Sequence, residues 1–138
     1  MRILSIDYGK KRTGIAVTDS LQIIANGLTT VDTSDLIKFL KEYTAKEAVE
    51  RFVLGLPTQP NGQPSDNLPR VQAFAEKLVK VFPQIPVEFY DERFTSVLAH
   101  QAILDSGIGK KRRRQDKGLV DEISACIILQ SYLESRGR

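Results

Sequence analysis

Residues 2–17 read RILSIDYGKKRTGIAV, and this stretch decides the fold. Two short apolar segments, residues 3–6 and 15–17, flank an acid, a glycine and a cluster of three basic residues. Short apolar runs separated by a turn predict two β-strands, over residues 2–7 and 13–18, joined as a hairpin. The first strand then ends on Asp7, and Gly9 permits the tight turn that follows.

The rest of the chain adds strand and helix patterns in turn. A third strand is predicted over residues 23–30, a buried parallel strand over 51–56 and another strand over 86–90. Apolar residues at helical spacing predict helices after Ser34, after Asn67, over 95–104 and over 118–135, with Ser34 and Asn67 as N-caps. The order β-β-β-α-β-α-β-α-α predicts an α/β fold: a mixed five-stranded sheet with helices on both faces.

Composition limits the classes of protein to consider. The 138 residues, 41% of them hydrophobic and 27% charged, are typical of one globular domain, which we expect to span residues 1–138. No apolar run reaches the length of a membrane span, and the N-terminus reads as a strand rather than a signal peptide. The single Cys126 excludes an internal disulfide. We therefore expect a cytoplasmic protein that does not bind membranes.

Basic charge is concentrated in one segment. Residues 110–117 hold six basic residues and one acid, a net charge of +5 in a chain whose total is +3. Such a segment suits an acidic partner such as nucleic acid, although a solvated loop has the same composition.

Acids stand at the ends of the predicted strands. Asp7 closes the first strand, Asp91 and Glu92 close the last one, and Asp121 lies near the start of the final helix. In open α/β sheets function gathers at the carboxyl ends of the strands, so these carboxylates could converge on one edge. Converging carboxylates favour a bound cation such as Mg²⁺, and a metal pair suits phosphodiester hydrolysis. Each acid could equally be a turn residue, a helix cap or one half of an ion pair.

Four segments carry a family resemblance. They are IDYGKKRTGIAV (6–17), VLGLPTQPNGQPS (53–65), YDERFTSVLA (90–99) and KGLVDEISACIILQSYL (117–133). The first alone also opens the actin-like and sugar-kinase ATPases. Together, in this order and over nearly the whole chain, the four resemble the YqgF/RuvX family.

The resemblance implies a ribonuclease H-like fold, related to that of the Holliday-junction resolvase RuvC. It implies a nuclease that acts in maturation of the 5′ end of pre-16S rRNA. The catalytic and metal-binding acids would be Asp7, Glu92 (rather than the neighbouring Asp91) and Asp121, holding Mg²⁺ or Mn²⁺. Arg12 and Arg93 match basic positions of the family's motifs and would bind nucleic acid. On their charge alone we expect the same of Lys11 and of Lys110, Lys111, Arg112, Arg113 and Arg114 in the basic segment.

Three functions remain open on the sequence. The first is a metal-dependent endonuclease on structured RNA, with pre-16S rRNA and ribosomal assembly intermediates as partners. The second is a resolvase of four-way DNA junctions, which a homodimer rather than a monomer would favour because two strands must be cut. The third is a non-catalytic nucleic-acid-binding module.

Overall fold

The computed structural model describes residues 1–56, 67–91 and 117–136, the side chains of residues 117–121 excepted. Its strands are β1 Arg2–Asp7, β2 Arg12–Thr18, β3 Ala25–Asp32, β4 Val49–Leu56 and β5 Val87–Asp91. A 3-10 turn at Thr33–Asp35 leads into α1 Leu36–Lys46, and the other described helices are α2 Leu68–Val81 and α3 Lys117–Arg136. Every strand predicted from the sequence is confirmed to within two residues at each end.

The five strands form one sheet in the order β3-β2-β1-β4-β5. The first three strands are antiparallel neighbours, with Asp7 opposite Gly14 and Arg12 opposite Asp32. β1, β4 and β5 run parallel to one another. The carboxyl ends of these three strands therefore meet at one edge of the sheet, called here the carboxyl edge.

Hydrophobic cores lie on both faces of the sheet, as the alternation of buried residues along the strands requires. Leu4, Ile6 and Leu54 face α1 and α2, which contribute Leu40 and Leu78 among others. On the other face, a smaller core packs against α3; its fully or nearly fully buried members are Ile3, Ala16, Val53, Ala125, Ile128 and Leu129. The predicted α/β sheet with helices on both faces is thus confirmed.

Of the two predicted helix caps, Ser34 is wrong and Asn67 is confirmed in position only. Ser34 lies inside the 3-10 turn, and Asp35 takes the N-cap position of α1. Asn67 does stand at the N-cap of α2, but its side chain makes no cap hydrogen bond. The Asn67 Nδ2 donates instead to the backbone oxygen of Tyr8, 2.8 Å away.

The helix predicted over residues 95–104 lies outside the described residues, as do residues 110–116 of the basic segment. Within the described parts of the chain, no helix has the length and hydropathy needed to cross a membrane.

Candidate active site at the carboxyl edge

Asp7 is the last residue of β1 and is half-buried at the carboxyl edge. Side chains alternate along a strand, so Asp7 shares a face with Ile3 and Ser5, which is the face covered by α3. A carboxylate at the end of a strand that is hydrogen-bonded on both sides is held in place by the sheet.

The final helix approaches Asp7 from the same face. The Ser5 hydroxyl donates to the backbone oxygen of Ala125 at 2.7 Å, which fixes α3 over β1 two residues before Asp7. Position 121 lies one helical turn before Ala125, on the same side of α3.

The direction of α3 decides where its first turn lies. The Gln130 side chain accepts from the Ala25 N–H at the start of β3, whereas Glu122 lies over Gly27, closer to the carboxyl edge. The N-terminal end of α3 therefore lies at the carboxyl edge, where Asp7 is, and the backbone of position 121 lies there too. The side chain of Asp121 lies outside the described residues.

The acid at the end of β5 faces the other way. Glu88 and Tyr90 both contact Tyr132 of α3, so by alternation Asp91 points to the face of α1 and α2. Asp7 is also separated from Asp91 by the whole width of β4, about 10 Å between backbones. The structure therefore does not bring these two acids together, and Glu92 lies outside the described residues.

A closed ring of hydrogen bonds holds the turn that follows Asp7. The Thr33 hydroxyl donates to Gly9 O at 2.7 Å, so the Thr13 hydroxyl, 2.9 Å from Thr33 Oγ1, must donate to it. The Gly9 N–H closes the ring on Thr13 Oγ1 at 3.5 Å. Gly9 itself has no room for a side chain, because a Cβ would lie 2.2 Å from the backbone oxygen of Arg12.

Tyr8 anchors the same turn to α2. Its ring stacks on Phe74 with centroids 4.7 Å apart, and its carbonyl accepts from Asn67. The turn is therefore tied to the 3-10 turn after β3, through Thr33, and to the start of α2. Sequence reasoning missed Tyr8, Thr13 and Thr33, because their roles depend on contacts with distant elements.

Lys11 and Arg12, predicted to bind nucleic acid, are exposed at the end of this turn, beside the carboxyl edge. The Thr33 N–H donates to Lys11 O at 2.9 Å, which fixes the backbone beneath them. The other predicted nucleic-acid-binding residues lie outside the described residues; they are Arg93, Lys110, Lys111, Arg112, Arg113 and Arg114.

A polar cluster near the C-terminus of α3 fixes the orientation of the helix relative to the sheet. The Tyr132 hydroxyl donates to Glu88 and accepts from Arg51 Nη1 at 3.2 Å, and Arg51 also pairs with Glu88. Burial, followed by the hydrogen bond to Glu88, raises the pKa of Tyr132. Hydrogen bonds therefore join α3 to the sheet at Ser5, at Ala25 and at this cluster.

The RuvX family model, described as Holliday junction resolvase, matches residues 1–135. The chain belongs to the RuvX family. A relative from Phocaeicola vulgatus is 65% identical over 135 residues, covering 98% of this chain and 96% of the relative. A relative from Porphyromonas gingivalis is 58% identical over 137 residues, covering 99% of both chains. Both carry the name "Putative pre-16S rRNA nuclease".

Solved structures with little sequence similarity share the RuvX fold. Thermus thermophilus RuvC, solved with a Holliday junction substrate, matches with a TM-score of 0.56 at 16% identity and covers 99% of this chain and 96% of RuvC. The fowlpox virus Holliday junction resolvase matches with a TM-score of 0.56 at 16% identity, covering 98% and 99%. These likenesses confirm the ribonuclease H-like fold.

The donor chemistry of the RuvX carboxyl edge fits a hard cation. Asp7 offers carboxylate oxygens from a rigid strand end, and such oxygens are the ligands that Mg²⁺ and Mn²⁺ prefer. Among the described side chains, no three His, Cys, Asp or Glu residues are grouped closely enough to hold a metal. The side chains of Glu92 and Asp121 are not among those described, so the predicted ligand set of Asp7, Glu92 and Asp121 stays a prediction.

Proposed function

We propose that this chain is an endonuclease that hydrolyses a phosphodiester bond in pre-16S rRNA, during maturation of its 5′ end. The observation that carries the proposal is sequence identity: two relatives named "Putative pre-16S rRNA nuclease" are 65% and 60% identical to this chain over almost its full length. The resolvase-like fold supports the same reaction class, because strand-end carboxylates at the edge of such a sheet suit phosphodiester cleavage.

We assign metal binding and catalysis to Asp7, Glu92 and Asp121. Support for two of them is geometric: Asp7 ends β1, and the backbone of α3 brings position 121 to the same edge and face. Asp91 points to the opposite face, which argues against it and leaves Glu92, the choice that the family resemblance implies. These three carboxylates would hold a Mg²⁺ or Mn²⁺ ion, which would supply a water nucleophile at neutral pH and neutralise charge on the phosphate.

The protein's own contribution is to hold Asp7 in place and to bind the backbone of the substrate. The Thr13–Thr33 ring and the stacking of Tyr8 keep the end of β1 rigid before substrate arrives. Lys11 and Arg12, exposed beside Asp7, are placed to contact phosphates. We assign the same role to Arg93 and to the basic segment Lys110, Lys111, Arg112, Arg113 and Arg114. Such contacts give affinity without sequence specificity.

We also propose that residues 1–138 act as one nuclease domain in the cytoplasm, as a monomer or homodimer. The family model supports a single unit, since one model matches residues 1–135.

A paired cleavage assay tests the proposal. Wild type, Asp7→Asn and the control Asp35→Asn are each given precursor 16S rRNA, with Mg²⁺, with Mn²⁺ or with a chelator. Asp35 is an exposed acid of the 3-10 turn whose side chain makes no cap hydrogen bond. We expect metal-dependent cleavage by wild type and Asp35→Asn and none by Asp7→Asn. Full activity of Asp7→Asn would show that the site is wrongly assigned.

The family's description as Holliday junction resolvase supports a second candidate, cleavage of four-way DNA. The same three proteins are therefore given a four-way junction. Cleavage of the junction but not the RNA, with a dimer in solution, would replace the first proposal. Binding of both substrates without cleavage, and no heat of Mg²⁺ or Mn²⁺ binding by calorimetry, would show a non-catalytic module.

A further inference from the structure

The turn between β2 and β3 presents large apolar side chains to solvent. Leu21, Ile23 and Ile24 are 75%, 61% and 57% exposed, and we call these three residues the apolar turn. Hairpin turns are ordinarily built from small polar residues, so this composition is unusual. Met1, 61% exposed, lies beside it, because Gln22 Nε2 donates to Met1 O at 2.9 Å. Apolar patches of a few hundred Å² often mark interaction sites.

The apolar turn is held rigid by Asp19, which precedes it, and by Gln22 within it. The Asp19 carboxylate accepts the backbone N–H groups of Ile23 at 2.7 Å, Ile24 at 2.9 Å and Leu21 at 3.3 Å. Gln22 takes a left-handed φ of 59° and ties its side chain to Glu50 at 3.2 Å. A surface that is already ordered loses little conformational entropy on binding, as a docking element requires.

The apolar turn lies near the start of β1, whereas Asp7 lies at the end of that strand. It follows Thr18, whose Oγ1 accepts from the Ile3 N–H at 3.0 Å, near the start of β1. Asp7 is four positions beyond Ile3 along the extended strand, about 13 Å away. A partner could therefore hold the apolar turn while the carboxyl edge stays open to substrate.

The charges around the apolar turn favour a protein partner. Asp19 is the one charged residue in the stretch 18–25 and is occupied by the turn itself. Nearby, Arg2 pairs with Glu47 at 3.5 Å and donates to Thr18 O at 2.8 Å. The Met1 ammonium donates to Ser20 O at 3.4 Å, and Arg51 pairs with Glu50 at 3.2 Å. Positive and negative groups are therefore balanced at this part of the described surface, whereas RNA phosphates and anionic lipids both require a surplus of positive charge.

We propose that the apolar turn inserts into a concave apolar pocket of a protein carried by the assembling small ribosomal subunit. This inference rests on the proposed function, because that particle holds the precursor RNA. Three or four side chains bury well under the roughly 800 Å² per partner of a stable flat dimer, so insertion into a pocket fits better than pairing of two copies.

Sedimentation with purified small-subunit precursor particles, and separately with naked precursor RNA, tests the inference. The proteins are wild type, the triple variant Leu21→Ser, Ile23→Ser, Ile24→Ser, and a control variant Val79→Ser, Phe89→Ser. The control removes two other exposed apolar side chains, 54% and 44% exposed, on α2 and β5. Circular dichroism and thermal melting establish that each variant folds.

We expect the triple variant to bind particles at least about tenfold more weakly than wild type and the control, with naked-RNA binding unchanged. Equal binding of all three proteins to particles, or no binding by wild type, would overturn the inference. The inference would also be overturned if the triple variant lost only binding to naked RNA. The same holds if it lost only concentration-dependent dimerisation, or only binding to anionic vesicles. If wild type does not cleave precursor RNA while particle binding still depends on the apolar turn, the nuclease proposal fails and the docking surface stands.

Discussion

The Ser5 hydroxyl and the Ala125 carbonyl are 120 residues apart in the sequence and 2.7 Å apart in the structure, in a buried hydrogen bond. This contact sets the position of α3 relative to β1. Because Asp7 is two residues beyond Ser5 and position 121 is one turn before Ala125, the same contact sets the spacing of two proposed metal ligands.

We expect Ser5→Ala to lower the free energy of unfolding by about 1 kcal/mol, the usual cost of one lost hydrogen bond. Metal-dependent cleavage should fall further than that stability loss explains, because α3 can then shift over β1. Urea unfolding and single-turnover rates measure the two effects. Ser135→Ala is the control, since its hydroxyl bonds within α3, to Tyr132 O at 2.8 Å. Equal rates for the two variants would argue against a positioning role for Ser5.

The Thr13–Thr33 ring predicts a difference between two substitutions at one site. Thr33→Val keeps the shape of the side chain but leaves Gly9 O and the Thr13 hydroxyl without their partner. We expect a loss of about 1–2 kcal/mol in stability and weaker protection of the amides of residues 9–11 from hydrogen exchange. Thr33→Ser, which keeps the hydroxyl, should restore both. Hydrogen exchange followed by NMR measures protection residue by residue, and failure of Thr33→Ser to rescue would show that the methyl group matters instead.

Gly9→Ala should be the more damaging of two matched glycine substitutions. Its new Cβ would meet the Arg12 backbone oxygen at 2.2 Å, so the turn after Asp7 must move. At Gly27 the nearest atoms belong to the flexible Glu122 side chain, which can rotate away. We expect Gly9→Ala to cost on the order of 1–3 kcal/mol and to abolish cleavage, and Gly27→Ala to cost less and to keep activity. Thermal melts and the cleavage assay compare them; equal effects would contradict the tight-turn interpretation.

Stability at high pH should depend on Tyr132. The folded protein raises the pKa of this phenol above its ordinary value of 10.0, so the protonated form is favoured by folding. Its contribution is therefore complete below pH 10 and is lost as pH rises through the folded pKa. Unfolding free energies from pH 8 to 12 should fall more steeply for wild type than for Tyr132→Phe. Parallel curves would mean that Tyr132 is not linked to folding.

Salt dependence tests the phosphate-binding role of Lys11 and Arg12. Replacing both with alanine should weaken RNA binding for all sequences and reduce the slope of log affinity against log salt by about 0.7 per lost contact on single strands. Lys77→Ala with Lys80→Ala, exposed positions near the end of α2, is the charge-matched control. Filter binding from 50 to 300 mM salt gives the slopes. The same slope for both double variants would remove Lys11 and Arg12 from the interface.

Much of the fold could be predicted from local patterns. Strands over residues 2–7, 51–56 and 86–90 follow from runs of apolar residues, and α2 follows from the spacing of Val71, Phe74 and Leu78. Apolar runs and helical spacing involve residues close together in the chain, so they can be recognised from the sequence alone. The edge at which Asp7 lies was predictable for the same reason, since parallel strands end together.

The register and the packing of the elements could not be predicted in this way. Asp91 and Glu92 are adjacent acids in the sequence, and only the pairing of β5 with β4 and the contact of Tyr90 with Tyr132 place Asp91 on the face away from Asp7. Asn67 looks like a helix cap, but the approach of Tyr8 offers its side chain another partner.

The sequence by itself therefore determined the elements, their order and the acid that ends β1, because periodicity and turn chemistry act over a few residues. The tertiary structure alone decided that Ser5 meets Ala125, that Thr13 and Thr33 close a ring around Gly9, and that Leu21, Ile23 and Ile24 stay exposed. Each of these depends on which distant groups the folded chain brings within hydrogen-bonding distance, or leaves in water.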